Sequence, residues 1–317
     1  MSTKAILITG ATGKQGGAVL RQLSNHASSS QFTLLAVTRN SSSASAQKIV
    51  QRHPDTLLVQ GDLNDVPSLF KSAQDALKAA NKPDKIWGVY SVQVSMGPGV
   101  TVEGEIEQGK ALIDESIKHN VGHFVYSSVD RGGNDKSFEE ETPIPHFQSK
   151  FQIEKHLLQE AGKKGEKMGW TILRPVAFMD NLEPGFPTKV FLAAVRDTLP
   201  PNKPLQWISI DDIGIFAAKA FRDPEAWNAR AEGLAGDELT FEELSGVFER
   251  ATGYPAPATF GVFGTALKWA VGEMNTMISW FASDGYGIDI KKLRSQEKEL
   301  CGMERWLKER SGWKKTA

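Results

Sequence analysis

Cysteine is almost missing from this chain, which carries one, Cys301, in 317 residues. A disulfide within the chain is therefore excluded, as is a zinc cluster built on cysteines, and no metal site is expected. Neither sign of charge is in excess, with 37 Lys+Arg against 38 Asp+Glu. The basic footprint of a nucleic-acid binder is missing, so no direct nucleic-acid contact is expected. The one local cluster of positive charge, Lys308, Arg310, Lys314 and Lys315, reads as a solvated tail. No apolar run approaches the length that spans a bilayer. The first one begins by about Ala5, leaving no room before it for a secretory signal. The expectation is a soluble, cytoplasmic protein with no membrane partner. Internal repeats are missing too, and low complexity is limited to short serine runs. Oligomeric state has no signature in the sequence.

What is present begins with one stretch, Ala5-Ile-Leu-Ile-Thr-Gly10-Ala-Thr12-Gly13-Lys14-Gln15-Gly16-Gly17. A short apolar run reads as a buried strand and breaks directly into glycines. Residues 18–23 then space their apolar positions as a helix does. Strand, glycine turn and helix in that order form the opening unit of a dinucleotide-binding fold. Gly10 permits the sharp turn, and Gly13 has no side chain to hold a pyrophosphate away from the backbone. Gly16 lets the helix lie close on the strand. The spacing is G-x-x-G-x-x-G, not the G-x-G-x-x-G of common dehydrogenases. A plain glycine-rich turn has the same letters; the place directly after the first strand favours the phosphate reading.

The second strand, Phe32–Thr38, ends in Arg39-Asn40-Ser41-Ser42-Ser43 with no carboxylate. An NAD site places Asp or Glu there for the ribose 2′-hydroxyl. Arg39, with hydroxyls nearby, suits a 2′-phosphate, so NADP(H) is expected over NAD(H), unless Arg39 is simply a solvent-facing loop residue. A third strand, residues 56–60, ends in Gly61-Asp62-Leu63. Asp62 either accepts from the adenine amino group or caps the next helix, a task open also to Asn64 or Asp65. The strand at 86–93 should end beneath the nicotinamide, with Ser91 and Gln93 as polar candidates. Residues 103–119 read as a long amphipathic helix, and 122–128 as a fifth strand with hydroxyls at its end.

The segment 132–145 is long, polar and acidic, and reads as a mobile loop or lid edge. A helix starts near His146, and His146 and Lys150, four apart, share one helical face. Residues 170–179 form a sixth strand entering a loop. Prolines break the alternation beyond Asn181, the chain returns at 205–212, and a helix covers 213–221. The expected fold is α/β, a Rossmann-type doubly wound parallel sheet over residues 1–182, re-entered around 205–222. A smaller, mostly helical domain for substrate or partner, rich in Trp and Phe, covers 183–317.

Several of these stretches together resemble the NmrA-like family, an atypical branch of the short-chain dehydrogenases related to isoflavone reductases. They are Gly10-Ala-Thr-Gly-Lys-Gln-Gly16, Thr38-Arg39-Asn40, Val59-Gln-Gly-Asp62, His146-Phe-Gln-Ser-Lys150 and Leu173-Arg-Pro-Val-Ala-Phe-Met-Asp-Asn181. The likeness runs in order to about residue 220 and is loose beyond. It implies that NADP(H) is surrounded by the glycine loop (Gly10, Thr12, Gly13, Lys14, Gln15, Gly16) and by Arg39 with Asn40. Asp62 with Leu63, Ser91, Lys150 and the loop 176–179, including Val176 and Phe178, complete that surround.

One departure governs function. Catalytic short-chain dehydrogenases use Tyr-x-x-x-Lys, whose tyrosine exchanges a proton with a carbonyl oxygen. Lys150 is kept here, but His146 holds the tyrosine position. The resemblance therefore implies three alternatives. The first is an NADPH-dependent reductase of a carbonyl, imine or activated alkene in a small apolar or aromatic molecule, such as a secondary metabolite. Lys150 then orients the ribose, His146 or a water gives the proton, and Ser128 polarises the substrate oxygen. The second is a non-catalytic NADP(H) redox sensor that regulates a transcription factor or other protein partner, and is then also nuclear. The third is a cyclase or isomerase that holds the cofactor without net redox. Fold alone does not choose among them.

Overall fold

The computed structural model describes residues 3–25, 31–258 and 271–314. Most of the polar loop expected at 24–30, part of the aromatic C-terminal region (259–270) and Lys315 lie outside the described residues. Strands and helices alternate from the start: β1 (Lys4–Ile8), α1 (Lys14–Ser24), β2 (Phe32–Thr38), α2 (Ala44–Arg52), β3 (Leu57–Gln60) and α3 (Val66–Ala79). β4 (Ile86–Ser91), α4 (Val102–Lys118), β5 (His123–Ser127), α5 (Asn134–Glu139), α6 (Pro145–Ala161) and β6 (Gly169–Pro175) follow. β2 is buried throughout and β1 beyond Lys4, which is why both read as mainly apolar runs: a parallel sheet is covered on both faces.

The main sheet has the order β3-β2-β1-β4-β5-β6-β9, with β9 at Arg230–Leu234 following the helices α8 (Ile210–Arg222) and α9 (Pro224–Trp227). Neighbours from β3 to β6 pair in parallel. The order reverses between β1 and β4, so the sheet is doubly wound and its ligand crevice is expected at the carboxyl ends beside that switch. By contacts the chain forms two units. The first takes residues 1–128, 149–174 and 213–232, and the second 129–148, 175–212 and 233–317. The sequence suggested a boundary after residue 182 with re-entry around 205–222; by contacts the chain passes from unit to unit five times.

The core of the first unit is mainly aliphatic, with Leu7, Leu35, Leu69, Val89, Ile113, Ile153 and Leu157 joined by Phe70 and Phe124. Its helices α4 and α6 approach closely at Gly109, where an added Cβ would lie 2.5 Å from Ile153 Cδ1. The second unit contains β7 (Ala177–Phe178), α7 (Phe186–Thr198), β8 (Leu205–Ile208), β10 (Asp237–Leu239), α10 (Phe241–Thr252), α11 (Val271–Ser283), α12 (Ile290–Gln296) and α13 (Met303–Glu309). Its core is aromatic, with Trp207, Phe248, Trp280, Phe281 and Trp306 buried together.

Two expectations are corrected here. Residues 205–208 do not re-enter the main sheet: β8 lies between β10 and β7 in a separate three-stranded sheet, and β9 takes the seventh place. β8 is buried throughout, and an apolar run carries no signal of which sheet it joins. The segment 132–145 is not an open loop either, for it contains α5. The Asp130 carboxylate, fully buried, accepts from the N–H groups of Gly132, Gly133 and Gly287 at 3.0–3.1 Å. Backbone donors of the turn before α5 are thus satisfied by a buried side chain. Among the described residues no helix is long and apolar enough to cross a membrane.

Candidate functional site

β1 delivers the chain into a turn at Gly10, whose φ of 60° lies in the left-handed region and whose missing Cβ leaves room for Val92. Gly13 is the N-cap of α1 and offers no side-chain cap, and the first turn holds no acid. A helix start with N–H groups and no competing carboxylate suits an anion. An added Cβ on Gly16 would collide with the carbonyl oxygens of Thr9 and Gly10, so this glycine sets how closely α1 lies on β1. Thr12 and Lys14 are exposed. The Gln15 side chain turns to the sheet, where its oxygen accepts from Ser127 Oγ at 2.6 Å and from the Tyr90 hydroxyl at 3.4 Å.

At the end of β2, Arg39 is exposed and has no hydrogen-bond or ion-pair partner among the described residues. The neighbouring polar groups are occupied in shaping the turn. Asn40 Oδ1 accepts from Ser42 N, Ser41 Oγ donates to Gln60, and Ser43 caps α2. At the end of β3, Asp62 is exposed and accepts from Asn64 N at 2.9 Å. The cap of α3 is Asp65, which leaves Asp62 outside that task. Leu63 packs on the core of the unit.

The ends of β4 and β5 are buried and polar. Gln93 Nε2 donates to Ser91 Oγ at 2.9 Å, while Gln93 Oε1, also buried, has no hydrogen-bond partner among the described residues. Lys150 on α6 pairs with the carboxylate of Glu105 on α4, and its Nζ stands 5.8 Å from the centre of the Tyr126 ring. Ser128 donates to Glu154, which in turn holds Arg174 through two bonds of 3.1 and 2.7 Å. The hydroxyl proton with which Ser128 was expected to polarise a substrate oxygen is committed to Glu154, so that role is not carried forward.

In the second unit, His146 is half-buried near the start of α6, with Phe147 edge-on at 4.7 Å between ring centres. Val176 is buried, its N–H bonded to Leu234 O, and Phe178 belongs to β7. A cavity of about 660 Å³ lies here too, lined by Arg131, Lys136, Thr142, Ser279 and Trp280 among others, and by none of the expected cofactor residues. Asp212 is fully buried. Its Oδ2 accepts from Cys301 N at 2.9 Å, and Arg310 stands 4.0 Å from Oδ1. Burial outweighs these and pushes its carboxyl up to about 6.

With the geometry in hand, the model of the NmrA-like family matches residues 2–307. The chain belongs to the NmrA-like family. An NmrA-like family domain-containing protein of Dictyostelium discoideum is 24% identical, the match covering 96% of this chain and 97% of that one. The NmrA-like oxidoreductase hkm9 of Aspergillus hancockii is 26% identical over 83% of this chain and 79% of its own. Among solved structures, NmrA, a negative transcriptional regulator in complex with NADP, superposes with a TM-score of 0.68 at 18% identity, covering 98% and 96% of the two chains. That likeness is one of fold.

The residues of this NmrA-like chain fit a dinucleotide on their own evidence. The capless Gly13, the unpartnered Arg39 and the orphaned Gln93 oxygen are each an unmet polar group or an open approach. Glu105, Ser149, Glu154 and Arg174 were not singled out from sequence. Glu105 had a readable signal, for on α4 the buried positions 105, 109, 112 and 116 form one helical stripe with a carboxylate in it. Arg174, a charge at the end of an otherwise apolar strand, was a second.

Proposed function

We propose that this chain is an NADP(H)-dependent oxidoreductase that reduces a carbonyl, imine or activated alkene in a small apolar or aromatic molecule. The observation that carries the reading is Lys150, the lysine of the short-chain dehydrogenase pair, built into a buried polar network of the first unit. The oxidoreductases among its NmrA-like relatives support it. The bound cofactor supplies the hydride.

The chain's own residues do the rest. The start of α1, with Gly13 as its bare cap, receives the pyrophosphate, and Arg39 pairs with the 2′-phosphate. Asp62 accepts from the adenine amino group, and Gln93 Oε1 accepts from the nicotinamide carboxamide. Lys150 donates to the nicotinamide ribose. His146, one turn before it on α6, gives a proton to the substrate heteroatom. We place the protein in the cytoplasm.

A second reading, a redox sensor that binds NADP(H) without turnover, is favoured by the histidine in place of tyrosine. The test is a screen for loss of NADPH absorbance against aldehydes, ketones, imines and enones, repeated on two variants with any substrate found. Lys150→Met should remove nearly all turnover, and His146→Phe should lower kcat by about 10²–10⁴-fold with little change in KM. NADPH binding with no turnover on any class would decide for the sensor.

A further inference from the structure

Glu105 is buried more deeply than the lysine it pairs with, the two side chains being 1% and 8% exposed. A carboxylate removed from water is costly unless its lone pairs are used. Those of Glu105 are. Oε1 accepts from Lys150 and from Ser95 Oγ at 2.8 Å, and Oε2 accepts from Ser149 Oγ at 2.5 Å. The donors come from the segment after β4 and from α6, while Glu105 itself stands in the first turn of α4. One turn on, the close approach of Gly109 and Ile153 fixes α4 against α6 and keeps Glu105 opposite Ser149 and Lys150. An apolar side chain in that stripe would satisfy packing alone with no desolvation cost. An ammonium has three donors; with one given to Glu105, the others are left for a vicinal diol such as that of a ribose.

We propose that Glu105 is a positioning residue for the nicotinamide half of the cofactor. It holds Lys150 in one rotamer, with Ser95 and Ser149 holding Glu105 in turn, so that the ammonium meets the ribose already oriented. This rests on the reading of Lys150 as the ribose-binding lysine.

The test is calorimetric titration of the full-length protein with NADPH and, separately, with adenosine 2′,5′-bisphosphate, which lacks the nicotinamide ribose. Wild type, Glu105→Gln, Glu105→Asp, Lys150→Met and the Glu105→Gln/Lys150→Met double variant are compared. Glu105→Gln should weaken NADPH about ten-fold, as loss of a group that orients a ligand-binding side chain does, and leave the bisphosphate unchanged. Glu105→Asp should recover part of the loss, and adding Glu105→Gln to Lys150→Met should cost nothing more.

Equal losses for both ligands would show damage to the fold, and additive losses would show that Glu105 acts apart from Lys150; either overturns the proposal. A silent Glu105→Gln beside a weakened Lys150→Met overturns the proposal and leaves the ribose reading standing, whereas a silent Lys150→Met removes both. If Glu105→Gln does not fold, Glu105→Asp, which keeps the charge and shortens its reach, carries the same comparison.

Discussion

At the ends of β2 and β3, Arg39 and Asp62 stand in water, and Arg39 has no partner among the described residues. After β5, on the helix α6 and in β6, Ser128, Lys150, Glu154 and Arg174 are buried and tied to one another or to Glu105. Both sets belong to one unit, yet they meet opposite constraints. An exposed charge costs the fold almost nothing, so its identity is free to follow the ligand. A buried one is costly unless it is paired and hydrogen-bonded, so its identity is bound to its neighbours. Changes in the first set should be read out in ligand affinity alone, and changes in the second in stability as well.

The buried set offers the largest effect. Arg174→Met leaves Glu154 as an uncompensated charge in the core and should lower the unfolding free energy by about 3–5 kcal/mol, measured by urea titration. Arg174→Met combined with Glu154→Leu should recover much of this, since the penalty lies in the orphaned charge. A single variant within 1 kcal/mol of wild type (about the worth of an exposed pair) would erase the contrast drawn above.

Asp212 in the second unit sharpens the same contrast with a buried carboxylate that no cation among the described residues touches within hydrogen-bond distance. Its pKa is raised from 3.8 to about 6, so the fold prefers the protonated form. The stability it contributes is complete below about pH 4 and is lost as pH rises through 6, a change of roughly 3 kcal/mol. Asp212→Asn should remove that dependence, gaining on wild type between acid and neutral pH. Parallel stability–pH curves for the two proteins would show that Asp212 is ionised in the fold at little cost.

The smallest effect is expected at the exposed end. Arg39→Ala should weaken NADP(H) by roughly ten- to a hundred-fold, the worth of a charge-assisted pair. NAD(H) affinity and the unfolding midpoint should hardly move. Equal loss for both cofactors in calorimetric titration would take Arg39 off the 2′-phosphate.

The sequence showed most clearly those features whose physics is local. The glycine spacing from Gly10 to Gly16, the apolar runs of β1 and β2, and Arg39 where an acid might stand each announce themselves within a few residues. Lys150 was legible as part of a four-residue spacing. Glu105 showed only as a carboxylate within a helical stripe, and its role was not legible, because its partners Ser149 and Lys150 lie more than 40 residues away and a lone carboxylate in an amphipathic helix usually faces water. The place of β8 escaped for a related reason: strand pairing across the chain is set by the whole sheet and not by the strand. Asp130 escaped because its acceptor role becomes visible only when Gly287 arrives beside Gly132 and Gly133.

That arrangement has a consequence for the order in which the molecule is completed. The backbone N–H groups that Asp130 receives come from a turn two residues away and from a strap 157 residues away. Loop closure over such a separation is entropically slow to be repaid. During synthesis, residues 129–133 emerge early but cannot be fully satisfied until the strap around Gly287 has left the ribosome. The turn that precedes α5 is thus finished by a segment made long after it. A truncation ahead of Gly287 would leave a buried carboxylate short of a donor far upstream of the cut.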